Sequence, residues 1–381
     1  MRIAVITFFQ SKDNYGQVLQ CYALQKLLRE LGHKPYLIRY GFHHQYFHWL
    51  RKSNYITRQG LKRTYHRIKE FFSRVRGLSD RGFDSFKRRN LTLSFHRYNT
   101  LAELQRKPPR ADCYITGSDQ VWAQLLSRDD NRSFFLDFGP NHVKRIAYAP
   151  SFAVEDYPIE LKTVLSEQLK KFDAISVRES SGVRICNSIG YRAKLVLDPT
   201  LLHEASFYER IAIKPRLSHY CFVYHVNVKT QEEIYWDVFS EYNLRKGIRP
   251  IACFANPVNG IQMEFLNGSM YVYPSIEKWL GFILYSEYVL TSSFHGIVFS
   301  ILFHKPFVVC LRQESLFAGN DRVMTLLNML HLEDRIMNDS MSADYILSKD
   351  IDWGAVDCIL ARERTESISF LKMNLSDEST L

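Results

Sequence analysis

Residues 288–309, YVLTSSFHGIVFSILFHKPFVV, constrain the fold of this chain more than any other stretch. An apolar run over 288–291 leads into Ser292, Ser293, Phe294, His295 and Gly296, then an apolar run over 297–303, then another over 307–310. Lys305 and Pro306 separate the last two, because proline lacks the N–H and clashes with the preceding helical turn. The pattern predicts strand, polar elbow, helix and strand. At such an elbow the first helical N–H groups lack partners and point past the strand end. The helix dipole adds positive potential there, so an anion binds readily. Ser292 and Ser293 can cap those N–H groups or hydrogen-bond a phosphate, and His295 adds a titratable group. A lone Ser-x-His is explained by a helix cap and a packed histidine. Recurrence of the same architecture gives this one more weight.

That recurrence runs along the whole chain. Residues 2–7 read as a buried strand, followed by Asp13-Asn14-Tyr15-Gly16-Gln17 and a helix over about 18–31, where Leu19, Tyr22, Ala23 and Leu27 keep helical spacing. Gly32 stops this helix and 35–40 is the next strand. Strands over 112–116, 146–149, 174–177 and 194–197 run into Gly117-Ser118-Asp119-Gln120, Ser151, Arg178-Glu179 and Asp198. Beyond a boundary near 201–215, strands over 220–225, 250–254, 270–273, 288–291 and 307–310 alternate with helices near 229–244, 275–285, 297–303 and 320–330. The prediction is an α/β protein with two Rossmann-like domains facing a cleft, in a GT-B-like arrangement. Residues 1–205 form the acceptor-side domain and 206–345 the donor-side domain. A helix within 346–381 crosses back and ends in a polar, disordered tail. Parallel strands gather their carboxyl ends at one edge, where ligands bind, so five polar strand ends predict a lined cleft.

A chain of 381 residues with 46% hydrophobic and 24% charged residues fits two soluble globular domains. Its seven cysteines are scattered without a C-x-x-C pair, which predicts reduced thiols and neither a disulfide frame nor a zinc site. The apolar start is too short for a signal peptide, and no run reaches the ~18 apolar residues of a membrane span, so a cytoplasmic location is expected. The net charge of +10 is concentrated: 39–97 carries 15 Lys/Arg against Glu70, Asp80 and Asp84. Within a basic helical insertion placed at about 41–100, residues 60–77 put Leu61, Tyr65, Ile68, Phe72 and Val75 on one helical stripe flanked by Lys and Arg. Such a helix lies on an anionic membrane surface or docks on its own domain with the cations solvated. His43, His44 and His48 lack carboxylate or cysteine company, so no metal is expected there.

The cleft then holds Asp119, Arg178 and His295 among Ser, Asn and Gln side chains. Arg178 is a fork for phosphate or carboxylate, and Asp119 with His295 is an acid/base pair. Taken singly, Arg178-Glu179 is also a local ion pair and Asp119 a helix cap. There is no Walker loop, G-x-S-x-G or H-E-x-x-H motif.

Together, NYGQ at 14–17, GSDQVW at 117–122, YAPSF at 148–152, SVRES at 176–180, LDPT at 197–200, SFHG at 293–296 with KPF at 305–307, and NDR at 320–322 resemble the polysaccharide pyruvyl transferase family. The resemblance implies transfer of the enolpyruvyl group of phosphoenolpyruvate to sugar hydroxyls as a ketal, with phosphate released and no cofactor. It implies His295 and Arg178 on the donor and Asp119 as acid/base near the acceptor. Asn14, Gln17, Gly117, Ser118, Gln120, Ser151, Ser292, Ser293, Gly296, Asn320 and Arg322 are the candidate binding residues. A sugar or lipid-linked oligosaccharide acceptor suits a membrane-peripheral enzyme. In one departure, many relatives carry arginine two residues before the motif histidine, where this chain has Ser293. The missing cation then comes from elsewhere, with Arg322 and Lys305 as candidates. Two other readings remain: a nucleotide-sugar GT-B glycosyltransferase with Glu277 or Glu287 for the ribose, and an anionic-surface or nucleic-acid binding module using 39–97. No known nucleic-acid motif is present, so nucleic acid is not the expected partner.

Overall fold

The computed structural model describes residues 1–41, 81–123, 129–228, 230–255, 266–312 and 319–376. The first sheet is built from β1 (Arg2–Ile6), β2 (Lys34–Tyr40), β3 (Leu93–Tyr98), β4 (Cys113–Thr116), β5 (Lys144–Ala147), β6 (Ala174–Val177) and β7 (Lys194–Leu195). All pairings are parallel, in the order β3-β2-β1-β4-β5-β6-β7. The second sheet orders β8 (Tyr220–Val226), β9 (Arg249–Ala255), β10 (Met270–Tyr271), β11 (Val289–Thr291) and β12 (Phe307–Val309) as β10-β9-β8-β11-β12, again parallel. The chain is thus α/β, with parallel sheets in two domains.

The central strands are buried on both faces, as parallel sheets covered by helices require. In β1, Ile3 and Val5 face one apolar cluster while Ala4 and Ile6 face another. In β8, Phe222 and Tyr224 join the first cluster, and Cys221 and Val223 join a third. That first cluster holds residues from both sheets, so the two domains share a core. Tyr15, at the start of α1 (Tyr15–Glu30), shows how. Its ring stacks on Trp279 of α4 (Ile276–Leu284) at 4.9 Å and 8°, and its hydroxyl donates to Pro274 O at 2.8 Å. Asp321 opens α6 (Asp321–Leu330) and accepts from Ser181 Oγ of α3 (Ser180–Ser188) at 2.5 Å. Finally α7 (Trp353–Leu375) returns to the first domain, where Ser367 Oγ accepts from Leu197 N and Arg364 Nε donates to Leu201 O, both at 2.9 Å.

The stretch 41–100 is not wholly an insertion outside the sheet. Residues 83–98 form α2 (Phe83–Asn90) and β3, and β3 extends the sheet beside β2. Its Phe95, His96 and Arg97 are exposed, so this edge strand lacks the continuous apolar run of its neighbours. The helix expected over 60–77, His43, His44 and His48, and residues 377–381 lie outside the described residues. The helix placed at 297–303 starts three residues earlier, as α5 (Phe294–Leu302), which puts His295 in its first turn. Among the described residues no helix is long and apolar enough to cross a membrane.

Candidate active site

The site is organised around Asp198, which follows β7 and is 1% exposed. Its Oδ2 accepts from Ser118 Oγ and from Arg178 Nη1, each at 2.7 Å. Its Oδ1 accepts from Thr200 N at 3.1 Å and Thr200 Oγ1 at 2.7 Å. The second Arg178 nitrogen, Nη2, donates to Asp119 Oδ1 at 3.3 Å, and the guanidinium lies 5.0 Å over the Phe294 ring. A buried charge survives only when paired and hydrogen-bonded, and this set supplies both. Burial alone would raise the Asp198 pKa; His295, Arg178 and Ser118 outweigh it and hold the carboxyl well below its usual range. For Arg178, burial works against the charge, and Asp198, Asp119 and Glu179 together more than offset it. Glu179 is shifted upward by burial, against Arg178 and the Phe152 N–H that its Oε1 accepts at 2.7 Å.

His295 reaches this carboxylate from the other domain. Its Nε2 stands 3.6 Å from Asp198 Oδ1, an ion-pair separation longer than a hydrogen bond. Two devices fix the ring. Ser293 is the N-cap of α5 and accepts from Gly296 N at 3.4 Å, which starts the helix just before the histidine. Gly16 in α1 leaves the space the ring occupies: a Cβ there would lie 2.0 Å from His295 Nδ1. The glycine of the NYGQ segment thus answers to the histidine of the SFHG segment across the domain boundary.

Beside His295 is a recess of about 100 Å³. The first domain contributes Phe8, Asn14, Gln17, Asp119 and Gln120; the second contributes Val226, Asn227, Ser293, Phe294, His295, Arg312 and Arg322. Arg322 and Arg312 are both half-buried. Burial, then the cations Arg178 and Arg312, pull the Arg322 pKa down, against Asp119 and Glu179. Burial lowers that of Arg312 as well. The Nε of Arg322 is sealed from solvent without a hydrogen-bond partner among the described residues. Among the described residues Asp119 is the only carboxylate in the lining, and it already faces Arg178.

Seven of the sequence-derived candidates therefore meet at one recess: Asn14, Gln17, Asp119, Gln120, Ser293, His295 and Arg322. The others stand behind it. Arg178, expected on the donor, has a side chain 1% exposed and committed to Asp198 and Asp119, so it braces the site from below. Ser118 also serves Asp198. Ser292 Oγ accepts from Val226 N at 3.4 Å, and Ser151 Oγ accepts from Ala153 N at 3.2 Å. Gly117 and Gly296 are packing positions, where a Cβ would meet Tyr148 O at 2.2 Å and Thr291 Oγ1 at 2.3 Å. Asn320 clamps the backbone of Arg312 through its amide, at 2.8 and 3.3 Å. Lys305, the other candidate cation, is not in the lining. Sequence reasoning missed Arg312 and Asn227, and noted Asp198 only as a strand end and as part of the LDPT segment. Among the described residues no group of three or more His, Cys, Asp or Glu side chains could hold a metal ion.

Comparison with solved structures finds the same fold in proteins of distant sequence. A UDP-GlcNAc 2-epimerase from Methanocaldococcus jannaschii, in complex with UDP-GlcNAc and UDP, aligns over 96% of this chain and 94% of its own, with 10% identity and a TM-score of 0.52. An alpha-glucosyltransferase in complex with UDP and a 13-mer DNA aligns over 100% and 96%, with 9% identity and a TM-score of 0.50. At such identities the likeness is one of fold, the GT-B-like pair of domains. No curated protein sequence matches the chain significantly. The family model for polysaccharide pyruvyl transferase, however, matches residues 14–314, a span that takes in Gly16, Asp198, His295 and Arg312. The chain belongs to the polysaccharide pyruvyl transferase family and is a transferase.

Proposed function

We propose that the recess holds phosphoenolpyruvate and that the protein transfers its enolpyruvyl group to a sugar of a surface-polysaccharide precursor. The observation that carries this reading is the unpartnered Nε of Arg322, set with Arg312 and His295 around about 100 Å³. Arg322, whose pKa burial and the charges of Arg178 and Arg312 pull down, gains from an anion beside it, and a forked cation suits phosphate and carboxylate. Pockets for drug-sized ligands span ~300–1,000 Å³, so this recess favours a compact acid phosphate over a nucleotide sugar. Arg322 and Arg312 also supply the positive charge absent at Ser293.

In the reaction, a proton is added to the terminal methylene of the enol and the adjoining carbon becomes electrophilic. One sugar hydroxyl oxygen bonds to that carbon and a second closes the ketal as the carbon–oxygen bond to phosphate breaks. Of the two hydroxyl protons released, one balances the new methyl group and the other leaves on phosphate. His295, oriented by ionised Asp198, is assigned the methylene proton or a phosphate contact, and Asp119 the hydroxyl proton. A lipid-linked acceptor and a membrane-peripheral location are part of the same proposal.

The test is phosphate release from phosphoenolpyruvate with a panel of lipid-linked and nitrophenyl sugars. Loss of a general acid costs roughly 10²–10⁴-fold, and His295→Ala is expected to lose that much while remaining folded. Normal turnover by folded His295→Ala ends the assignment. Thermal stabilisation by UDP or GDP sugars but not by phosphoenolpyruvate ends the donor reading.

A further inference from the structure

A second charged feature lies away from the recess. The amino-terminal ends of β1 and β2 and the edge strand β3 border a groove of about 1,370 Å³. Arg2, Arg29, Lys34, Lys107 and Arg110 line it, and none of these five has a salt-bridge partner among the described residues. Among the described residues the one carboxylate in the lining, Asp112, is occupied by the backbone N–H of Arg2 at 2.6 Å. The ring of Phe95 also borders the groove and is 98% exposed. A single exposed phenylalanine means little. Set in the wall of a concave, uncompensated basic surface, it adds a flat apolar face beside the charges. Clustered charge of one sign raises the local concentration of the opposite one.

We propose that this groove binds an acidic oligosaccharide, with the cations on its carboxylates and Phe95 against a sugar ring. The choice of ligand rests on the pyruvyl-transfer reading, in which each transfer leaves a carboxylate on the sugar chain. The groove's concavity disfavours a flat bilayer, and the polymer belongs to the class of molecule that the family works on. The groove sits at the sheet edge opposite the recess. At ~3.3 Å per residue, the strands between them are roughly 20 Å long, so the groove holds polymer without occupying the cleft.

The experiment is fluorescence anisotropy of a labelled oligogalacturonate with the full chain. A neutral maltooligosaccharide, a single-stranded oligonucleotide and phosphatidylglycerol vesicles are the comparison probes. Oligogalacturonate should bind, weaken with salt, and exceed all three. The double variant Lys34→Glu/Arg110→Glu should raise its Kd roughly tenfold or more, since two exposed charges are reversed. Phe95→Ala should weaken oligogalacturonate and leave oligonucleotide binding unchanged. Both variants should keep wild-type phosphate release with a monosaccharide acceptor. Absence of oligogalacturonate binding overturns the proposal. So does equal binding of the oligonucleotide or the vesicles with no dependence on Phe95. Oligogalacturonate binding by a chain that releases no phosphate from phosphoenolpyruvate supports the groove and sinks the pyruvyl reading alone.

Discussion

Gly16 carries no side chain, yet the position of His295 depends on it. Gly16→Ala raises helix propensity by ~1 kcal/mol while its Cβ competes with the imidazole for one volume. The expected outcome is a Tm near or above wild type with turnover down about tenfold or more, because a small misplacement of a reacting group is costly. Wild-type turnover would show that the ring is placed otherwise. Asp198 has the opposite profile. Its folded pKa lies below the unfolded value near 3.9, so its contribution is present above about pH 4 and is lost as pH falls further. Breaking a buried ion pair costs about 3–5 kcal/mol, and Asp198→Asn should show a loss of that order in urea unfolding at pH 7. A third buried group, His225, lies outside the proposed chemistry. It is 0% exposed, neither ring nitrogen has a hydrogen-bond partner among the described residues, and burial pushes its pKa down to about 3. The unfolded chain therefore binds a proton that the folded one refuses between about pH 6.5 and pH 3. Stability should fall by about 2 kcal/mol from pH 7.5 to pH 5 on this account, and His225→Leu should remove that slope. An unchanged slope would mean that His225 is solvated or paired when charged.

At the scale of elements, much was legible. Apolar runs ending in polar residues marked β1, β2, β4, β5, β6, β8, β11 and β12, because strands buried on both faces leave continuous apolar signatures. The signal failed for β3, an edge strand whose outward residues are Phe95, His96 and Arg97. It also placed the start of α5 three residues late. Ser293 was recognisable as a cap, but the polar run Ser292–Ser293 disguised Phe294 and His295 as loop. Arg178 looked like a ligand because it sits at a strand end. Whether a strand-end arginine points into a cleft or beneath it depends on Asp198 and Ser118, which are distant in sequence. Arg312 was invisible for a similar reason, since its role comes from facing Arg322. Ser293 lends itself to a sharp test. Loss of an N-cap costs about 1 kcal/mol, so Ser293→Ala should be mildly destabilising. Ser293→Arg, which introduces the arginine that the family resemblance leads one to expect, should lower turnover, because its guanidinium must enter a recess of about 100 Å³ that already faces two. Increased turnover would show that Arg322 and Arg312 do not replace the missing cation.

Across the whole molecule, the histidine and its carboxylate come from different domains. His295 rides on α5 of the second, while Asp198, Ser118 and Arg178 belong to the first. The stack of Tyr15 on Trp279 and the shared apolar core hold the halves together, and the glycine in α1 lets them approach. The site is therefore a property of the closed pair of domains, which is why its parts recur at strand ends throughout the chain. The most direct measurement is a crystal structure of the full chain with phosphoenolpyruvate. The phosphate and carboxylate are predicted within hydrogen-bond distance of Arg322 and Arg312, with the methylene carbon facing His295. Phosphoenolpyruvate bound away from these three side chains, or left out while a nucleotide sugar occupies the cleft, would contradict the account.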